Sequence, residues 1–325
     1  METTKKVIIT GGAGFIGLNL ANFLAKKNFH VIIWDNLSRG KYDMHLKNLL
    51  KNKNVKFVKK NLKNKINVKI SGVSHIFHLA GTVGVQNVNE NSYNSFLNNF
   101  LTLKNVIEFN RSLKRSAKLI LFSTSEVYSN LIKKKIVKFP LSEDNDILIE
   151  NKIIGRDSYF LSKIFNEKLI QLSKFDYVIL RPHNIYGPRM GYSHVIPELI
   201  KKIIYEKEKK SKNTIVYSPQ HKRAFCYIDD AINQIVEISM NKKIKNDVFN
   251  IGNMKEEIKM INLAKKIREI IYENSNLKKG KVTQGSPIRR VPNMNKTIKK
   301  TSIKNFILLK EGLRKTVNWY ANDLK

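Results

Sequence analysis

The sequence has almost no residues of the kind that form covalent or metal cross-links. Cys226 is its single cysteine, so an internal disulfide is excluded, and no cluster of cysteine and histidine has the spacing of metal ligands. We therefore predict no metal site and a location in the reducing cytoplasm. Long apolar runs are also missing. No stretch approaches the roughly 18 residues of a membrane span, and the run Val7–Ile9 is too short for a signal peptide, so we expect a soluble protein without a membrane partner.

Acidic residues are scarce, with 26 Asp and Glu against 60 Lys and Arg, which gives a formal net charge of +34. Such a balance attracts nucleic acid and anionic membranes without specificity. However, lysines such as Lys26, Lys51, Lys201 and Lys209 are scattered along the chain, and aromatic residues do not alternate with them as on a surface that stacks bases. Lysine, asparagine and isoleucine are also heavily used together. We interpret the charge as a compositional bias and predict no specific nucleic-acid partner; firm binding of duplex DNA at physiological salt would contradict this.

A glycine-rich stretch from Val7 to Gly17 reads VIITGGAGFIG and predicts a strand, a tight turn and a helix. Gly11 allows the sharp turn, Gly14 allows the backbone to approach a pyrophosphate, and Gly17 allows the helix to pack closely on the strand. The helix N-terminus then offers N–H groups and a partial positive charge to phosphates. Glycine turns without a ligand are common, so the residues that follow decide whether this turn binds a dinucleotide or is only structural.

A second apolar run, from Phe29 to Trp34, ends at Asp35, about 20 residues after the glycines. A carboxylate at this position accepts hydrogen bonds from the adenosine ribose of a dinucleotide. The same carboxylate repels a 2′-phosphate, and Asn36 follows it instead of an arginine. We therefore predict NAD as the cofactor, with Arg39 as the one nearby cation that would favour NADP.

Strand and helix patterns alternate along the first half of the chain and predict an α/β fold with a Rossmann-type doubly wound parallel sheet. From about residue 182 proline and glycine become denser. We therefore predict an NAD-binding domain over residues 1–181 and a smaller C-terminal α/β substrate lobe over 182–325. In the lobe we expect helices near 194–207, 229–240, 255–272 and 309–319, and strands near 214–217 and 248–251. Residues 129–157 are expected to form an irregular loop.

Tyr159 and Lys163 lie four residues apart on a predicted helix and therefore share one face. A tyrosine becomes a useful base when its pKa falls from about 10 toward neutrality, which a lysine one turn away and a positive nicotinamide ring both favour. Thr124, in the loop after the preceding strand, can hydrogen-bond the same substrate hydroxyl. We predict that the phenolate removes a hydroxyl proton while the carbon transfers hydride to NAD. The Tyr–Lys spacing also occurs by chance, and it is the glycine turn, Asp35 and the Ser/Thr loop that favour catalysis.

Six segments resemble one enzyme family in their order and spacing: TGGAGFIG, DN after the second strand, FHLAG, STSEVY, YFLSK and RPHNIYGPRM. Together they are similar to extended short-chain dehydrogenase/reductases of the nucleotide-sugar epimerase/dehydratase family, and the similarity continues to RRVPNMNK and EGLRKTVNWY. The resemblance implies bound NAD, a nucleotide-diphosphate sugar as substrate, and a homodimer formed through the helices that carry Asn99 and Tyr159. It also implies a role in polysaccharide-precursor synthesis.

The resemblance implies roles for individual residues. Thr124, Tyr159 and Lys163 match the catalytic triad, and Asn99 matches a helix asparagine that supports the lysine through a water molecule. The residues that match the NAD site are Gly11, Gly14, Phe15, Ile16, Gly17, Asp35, Asn36, Leu79, Ala80, Tyr159 and Lys163. The residues expected at the substrate are Ser125, Asn184, Arg223 and Arg290, and the last three match contacts to the substrate diphosphate.

The reaction that the resemblance implies begins with oxidation of the sugar at C4, and later steps differ among family members. An NDP-sugar 4-epimerase, which rotates the ketone and returns hydride to its other face, is our leading prediction. Glu126 would remove the C5 proton in a 4,6-dehydratase, but deoxythymidine-type dehydratases pair it with an aspartate where this chain has Ser125. UDP-glucuronate decarboxylases share the Thr-Ser-Glu triplet and the arginine at Arg223. Two non-enzymatic alternatives are an NAD-bound regulator, disfavoured by the intact triad, and a nucleic-acid-binding protein, supported only by charge.

Overall fold

The computed structural model describes residues 5–82, 91–155, 157–209 and 213–324. Its largest sheet has seven strands, which are β1 (Lys6–Thr10), β2 (His30–Asp35), β3 (Val55–Lys59), β4 (Val73–His78), β5 (Lys118–Phe122), β6 (Tyr177–Pro182) and β11 (Asp247–Ile251). They lie in the order β11-β6-β5-β4-β1-β2-β3, and the pairs from β3 to β6 are all parallel. The predicted α/β fold with a Rossmann-type doubly wound parallel sheet is confirmed.

Helices connect these strands. They are α1 (Phe15–Lys26), α2 (Met44–Leu50), α3 (Ser92–Ser112), the short α4 (Ser129–Lys133) and α5 (Asp157–Leu172). The central strand β1 is apolar without alternation, and Val7, Ile8 and Ile9 are fully buried, as expected of a parallel strand covered on both faces. Helices α3 and α5 pack along each other. Among the described residues, no helix has both the length and the apolar character to cross a membrane.

Strand order determines where a ligand can bind in such a sheet. β1 lies between β2 and β4, so β2 and β3 extend the sheet on one side of β1, and β4, β5 and β6 extend it on the other. The loops after β1, β4 and β5 therefore meet at the carboxyl edge of the sheet, where open α/β sheets bind ligands. These loops carry the glycine turn, Leu79–Ala80 and Thr124.

The chain forms two compact units. Unit 1 comprises Met1–Asn130, Asp146–Pro182 and Ile235–Phe249, and unit 2 comprises Leu131–Asn145, His183–Gln234 and Asn250–Lys325. The remaining elements are β7 (Ile185–Tyr186), α6 (Val195–Lys209), β8 (Thr214–Val216), β9 (Lys222–Ala224), β10 (Cys226–Tyr227), α7 (Ile228–Met240), β12 (Glu257–Lys259), α8 (Met260–Ile271), β13 (Leu277–Lys279), β14 (Arg289–Arg290), α9 (Asn295–Lys300) and α10 (Leu309–Asp323). In unit 2, β12-β9-β14 form a three-stranded sheet, β13 pairs with β8, and α6, α8 and α10 pack together.

Three local predictions were wrong. The strand near 248–251, predicted in the lobe, joins the edge of the main sheet beside β6 as β11. The helix predicted from 255 begins at Met260, because Glu257–Lys259 pair with β9 instead. The stretch 129–157, predicted to be irregular, begins with α4 and later forms a bridge between Leu141 and Pro292. In the first two cases the outcome depends on pairing with a distant strand, which a local pattern does not show.

Candidate active site

The glycine turn after β1 requires glycine at two positions. Gly11 has a left-handed φ of +69°, and a Cβ on it would lie 2.8 Å from the backbone nitrogen of Ala80. A Cβ on Gly17 would lie 2.5 Å from the carbonyl oxygen of Gly11. Any larger residue at Gly17 would therefore push α1 away from the turn.

Helix α1 presents an uncapped N-terminus beside this turn. Its N-cap residue, Gly14, has extended backbone angles and makes no side-chain hydrogen bond. The first-turn N–H groups of Phe15, Ile16 and Gly17 have no acceptor four residues earlier within the helix, and the peptide dipoles place partial positive charge there. These N–H groups, held close to the turn because Gly17 has no Cβ, fit the pyrophosphate of NAD.

Asp35, at the end of β2, is buried beneath the loop that follows it. Its Oδ2 accepts the N–H of Ala13 at 3.0 Å, and its Oδ1 accepts the N–H of Leu37 at 2.8 Å. The loop passes so closely that a Cβ on Gly40 would lie 2.9 Å from Oδ2. Because a carboxylate has about four acceptor sites, these two bonds leave Asp35 able to accept from a ribose hydroxyl.

Asn36 and Arg39 lie on the same loop. Asn36 is exposed, and its Oδ1 accepts the N–H of Ser38 at 3.0 Å and its hydroxyl at 2.8 Å. Burial lowers the pKa of Arg39, and the phenol of Tyr159 partly offsets this by raising it. Arg39, considered above only as a determinant of NADP binding, therefore also interacts electrostatically with the candidate catalytic tyrosine.

Leu79 and Ala80, in the loop after β4, are held against the end of β1. Their N–H groups donate to the carbonyl oxygen of Thr10 at 3.1 Å and to its Oγ1 at 3.2 Å, respectively. The same hydroxyl is 2.9 Å from Nδ1 of His78. Burial lowers the pKa of His78 to about 3, and the charge of Lys163 adds to this effect. His78 is therefore neutral at pH 7 and helps to hold the loop in place.

Lys163 is buried inside unit 1, with 3% of its surface exposed. Its Nζ donates to the carbonyl oxygen of Phe122 at 2.9 Å, and a Cβ on Gly81 would lie 3.6 Å from Nζ. Burial lowers the pKa of Lys163 to about 8, an effect that the charge of Glu167 partly offsets. Tyr159 is half-buried one turn earlier on the same face of α5. A positive charge is therefore held beside the tyrosine at pH 7.

Asn99 forms hydrogen bonds through both the oxygen and the nitrogen of its side-chain amide. Its Oδ1 accepts the N–H of Thr82 at 2.6 Å, and its Nδ2 donates to Oγ of Ser162 at 2.9 Å and to the carbonyl oxygen of Thr82 at 3.2 Å. The hydroxyl of Ser162 donates in turn to the carbonyl oxygen of Tyr159 at 2.7 Å. Asn99 thus ties α3 to the turn of α5 that carries Tyr159 and Lys163. Neither Thr82 nor Ser162 was among the predicted site residues, although Ser162 lies within the YFLSK segment.

The loop after β5 forms a 3₁₀ turn, Ser125–Tyr128, that Thr124 caps. Oγ1 of Thr124 accepts the N–H of Glu126 at 3.2 Å. Because a hydroxyl can accept and donate at once, this cap leaves the O–H of Thr124 able to donate to a substrate oxygen. Ser125 is buried, and Glu126 is half-buried.

A buried ion pair supports the loop after β5. Arg181 donates from Nε to Oε1 of Glu167 at 3.0 Å and from Nη2 to Oε2 at 2.8 Å. Ser123 donates to the same carboxylate at 2.5 Å, and Nη1 of Arg181 donates to the hydroxyl of Tyr128 at 2.8 Å. Burial lowers the pKa of Arg181, but the hydrogen bond and charge of Glu167 raise it above its usual range. Glu167 was not among the predicted site residues, although it lies four residues after Lys163 on the same helix face.

The predicted diphosphate contacts lie in unit 2. Asn184 and Arg223 line one cavity of about 270 Å³. Nδ2 of Asn184 donates to the carbonyl oxygen of Ala224 at 3.0 Å, and Arg223 donates to Oγ of Ser286 at 2.9 Å. Arg290, on β14, is in register with Arg223 on β9, so the two arginines are neighbours on adjacent strands.

The predicted residues thus form two groups. Thr124, Ser125, Glu126, Asn99, Tyr159, Lys163 and the residues of the predicted NAD site belong to unit 1, whereas Asn184, Arg223 and Arg290 belong to unit 2. Within the described ranges, no group of three or more His, Cys, Asp or Glu side chains is placed to hold a metal ion.

Comparison with known proteins identifies the family. The family model for the NAD dependent epimerase/dehydratase family matches residues 7–252. The chain is 29% identical to UDP-N-acetyl-alpha-D-glucosaminuronate decarboxylase of Bacillus cytotoxicus, over 97% of this chain and 98% of that protein. It is 30% identical to a putative UDP-glucose 4-epimerase of Methanocaldococcus jannaschii, over 98% of this chain and 99% of that protein.

A solved structure shares the fold. UDP-glucuronic acid 4-epimerase from Bacillus cereus, a tyrosine-to-phenylalanine variant in complex with NAD and UDP-4-deoxy-4-fluoro-glucuronic acid, superposes with a TM-score of 0.83. It is 23% identical, and the match covers 98% of this chain and 99% of that one. Since the family model covers more than half of the chain, the protein is a member of the NAD-dependent epimerase/dehydratase family of enzymes, as its motifs predicted.

Proposed function

We propose that the protein is an NAD-dependent nucleotide-sugar 4-epimerase in which Tyr159 removes the proton of the sugar C4 hydroxyl. The observation that carries this proposal is the buried ammonium of Lys163, one helical turn from Tyr159. A nearby positive charge favours the ionised form of a phenol. Burial of Lys163 is costly to folding, and a catalytic role explains why a charge is retained there.

Tyr159, Thr124 and Lys163 have different roles in the proposed proton transfer. Tyr159 accepts the C4 hydroxyl proton and returns it after the ketone has turned. Thr124 donates its O–H to the same oxygen and orients it, while Lys163 stabilises the phenolate. Hydrogen bonds from Asn99 to Ser162 and from Ser162 to Tyr159 hold in place the helical turn that carries Tyr159 and Lys163. Bound NAD supplies the oxidation at C4 and its reversal, so that no net redox change occurs.

The cofactor and the substrate have separate candidate contacts. Gly11, Gly14, Phe15, Ile16 and Gly17 would hold the pyrophosphate of NAD, Asp35 its adenosine ribose, and Asn36, Leu79 and Ala80 would flank it. Asn184, Arg223 and Arg290 would bind the diphosphate of the nucleotide sugar, since arginine forks match phosphate oxygens. The relatives named above act on UDP-sugars by name, which supports a uridine nucleotide as the carrier.

A lyase is the second candidate. Glu126 lies two residues after Thr124, and the Thr124 cap holds its backbone in place. A carboxylate there could remove a C5 proton, and a relative at 29% identity is a sugar-nucleotide decarboxylase. Arg223, which a decarboxylase would also use, is held by hydrogen bonds to Lys222, Ser286 and Pro287 at 2.7–2.9 Å.

The homodimer is supported by exposed apolar side chains on α3 and α5. Tyr93 is 74% exposed, Phe165 47% and Leu172 78%. Phe165 also packs edge-on against Phe96, with ring centroids 5.6 Å apart, which links the two helices. Burying such surface stabilises association. A monomer by light scattering would contradict the dimer.

The experiment that tests the proposed reaction is incubation of the NAD-loaded protein with a panel of UDP- and dTDP-sugars, followed by mass spectrometry and chromatography of the products. A product of unchanged mass but different retention is expected of an epimerase. Loss of water would identify a dehydratase and loss of CO₂ a decarboxylase, and either would contradict the epimerase. Tyr159→Phe is the control that should convert no substrate.

A further inference from the structure

A second cavity in unit 2 is lined mainly by basic and amide side chains. Its volume is about 410 Å³, and its lining includes Lys259, Lys265, Arg268 and Lys279, with the amides of Asn262 and Asn276. No acidic residue lines it within the described part of the chain. It shares no lining residue with the cavity of Asn184 and Arg223. It is therefore distinct from the candidate nucleotide-sugar site.

The fold brings these cations together from three elements. Lys265 and Arg268 are three residues apart on α8 and share one face of the helix. Lys259 is the last residue of β12, which pairs with β9, and Lys279 is the last residue of β13, which pairs with β8. Each charge is thus attached to paired or helical backbone rather than to a loose tail.

The four basic residues of this cavity have no acidic partner in the part of the chain that the structure describes. Nη1 of Arg268 donates to the carbonyl oxygen of Ser275 at a long 3.3 Å, and its buried Nε has no hydrogen-bond partner in the same part of the chain. Buried donors are normally satisfied, so this Nε–H, in a cavity that three lysines also line, favours an anion as its partner.

We propose that this cavity binds a compact multivalent phosphate anion, a diphosphate or triphosphate group. A guanidinium fork, lysine ammonium groups and amide N–H donors are the groups that recognise phosphate oxygens. The volume is typical of small-molecule sites. No aromatic side chain lines the cavity among the described residues, so it has no surface for stacking bases as single-strand binders do. The phosphate chain itself, free or carried by a nucleotide, is the recognised group.

Titration calorimetry with inorganic triphosphate on the NAD-loaded protein tests the proposal. The double variant Lys265→Gln/Arg268→Gln should bind at least about tenfold more weakly, because it removes two donors of charge-assisted hydrogen bonds to phosphate oxygens. The matched control is Lys47→Gln/Lys56→Gln, which removes the same charge from exposed positions of unit 1 and should change affinity less than about threefold. Equal weakening in both would mean nonspecific attraction and would overturn the proposal.

Two further measurements locate and define the ligand. Arg223→Gln should leave intact the triphosphate binding that the double variant weakens; if it abolishes binding while the double variant does not, the anion occupies the nucleotide cavity and the proposal is wrong. ATP should bind about as tightly as triphosphate, and ATP binding without triphosphate binding would contradict recognition of the phosphate chain. The single variant Lys265→Gln, at an exposed position, provides a second test if Arg268 proves necessary for folding.

Discussion

Replacing Lys163 with methionine should stabilise the NAD-free protein and abolish its turnover. Burial lowers the pKa of this lysine from 10.5 to about 8. Each pKa unit corresponds to about 1.4 kcal/mol, so holding the charged form inside the fold costs about 3 kcal/mol at pH 7. Methionine fills similar space without charge. The carbonyl oxygen of Phe122 loses its hydrogen bond from Nζ, which offsets about 1 kcal/mol. The expected net gain is therefore about 2 kcal/mol.

This gain should depend on pH with a definite sign. The pKa of Lys163 is lower in the folded state, so between about pH 8 and 10.5 the unfolded state binds more protons. The contribution of Lys163 to the free energy of unfolding of the wild-type protein therefore rises with pH between about pH 8 and 10.5. The advantage of the methionine variant should be full below about pH 8, shrink above it, and be lost by about pH 10.5.

Urea unfolding followed by tryptophan fluorescence measures the effect in unit 1. The chain has two tryptophans, so a Trp319→Phe background leaves Trp34, which is buried in the main sheet, as the only reporter. Turnover is measured on the same preparations. A methionine variant that is less stable than its parent at pH 7, or a difference that does not change between pH 7 and 10, would refute the reasoning.

Three other substitutions, with Glu108→Gln as a control, separate catalysis, structural support and cofactor binding. Tyr159→Phe should abolish turnover without changing NAD affinity, and retained activity would overturn the assignment of the base. Glu167→Gln should lower the free energy of unfolding by about 3 kcal/mol or more, because it leaves a buried guanidinium unpaired. Glu108→Gln, in an exposed pair, should cost less than about 1 kcal/mol in the same urea assay, and equal costs would contradict this. Gly17→Ala should weaken NAD binding in calorimetry, since its Cβ would meet the carbonyl oxygen of Gly11; unchanged affinity would exclude this turn from the cofactor site.

The main sheet could be predicted because each of its strands shows a strong hydrophobic pattern within its own few residues. A fully buried parallel strand such as β1 reads as a continuous apolar run, and the turn after it needs a glycine that adopts positive φ. The four-residue spacing of Tyr159 and Lys163 likewise places them on one helix face whatever the tertiary structure. The apolar strand, the glycine turn and the shared helix face all depend on residues that are close together in the sequence.

The parts that could not be predicted depend on distant pairing. β9, β12 and β14 have two or three residues each, too few to show a period, and they form only because they pair with one another. The bonds of Asn99 to Thr82 and Ser162 depend on how α3 packs on α5. The basic cavity joins residues from β12, α8 and β13, which appear in the sequence only as scattered lysines.

Turnover of a sugar nucleotide carrying deuterium at C4 tests the central claim, oxidation at C4 with Tyr159 as base, most directly. The substrate is the one identified in the panel, and the same measurement is made with Tyr159→Phe. We expect slower turnover than with the unlabelled sugar, deuterium retained at C4 of the product, and no turnover by the variant. Loss of deuterium to solvent, or equal turnover by Tyr159→Phe, would contradict the account.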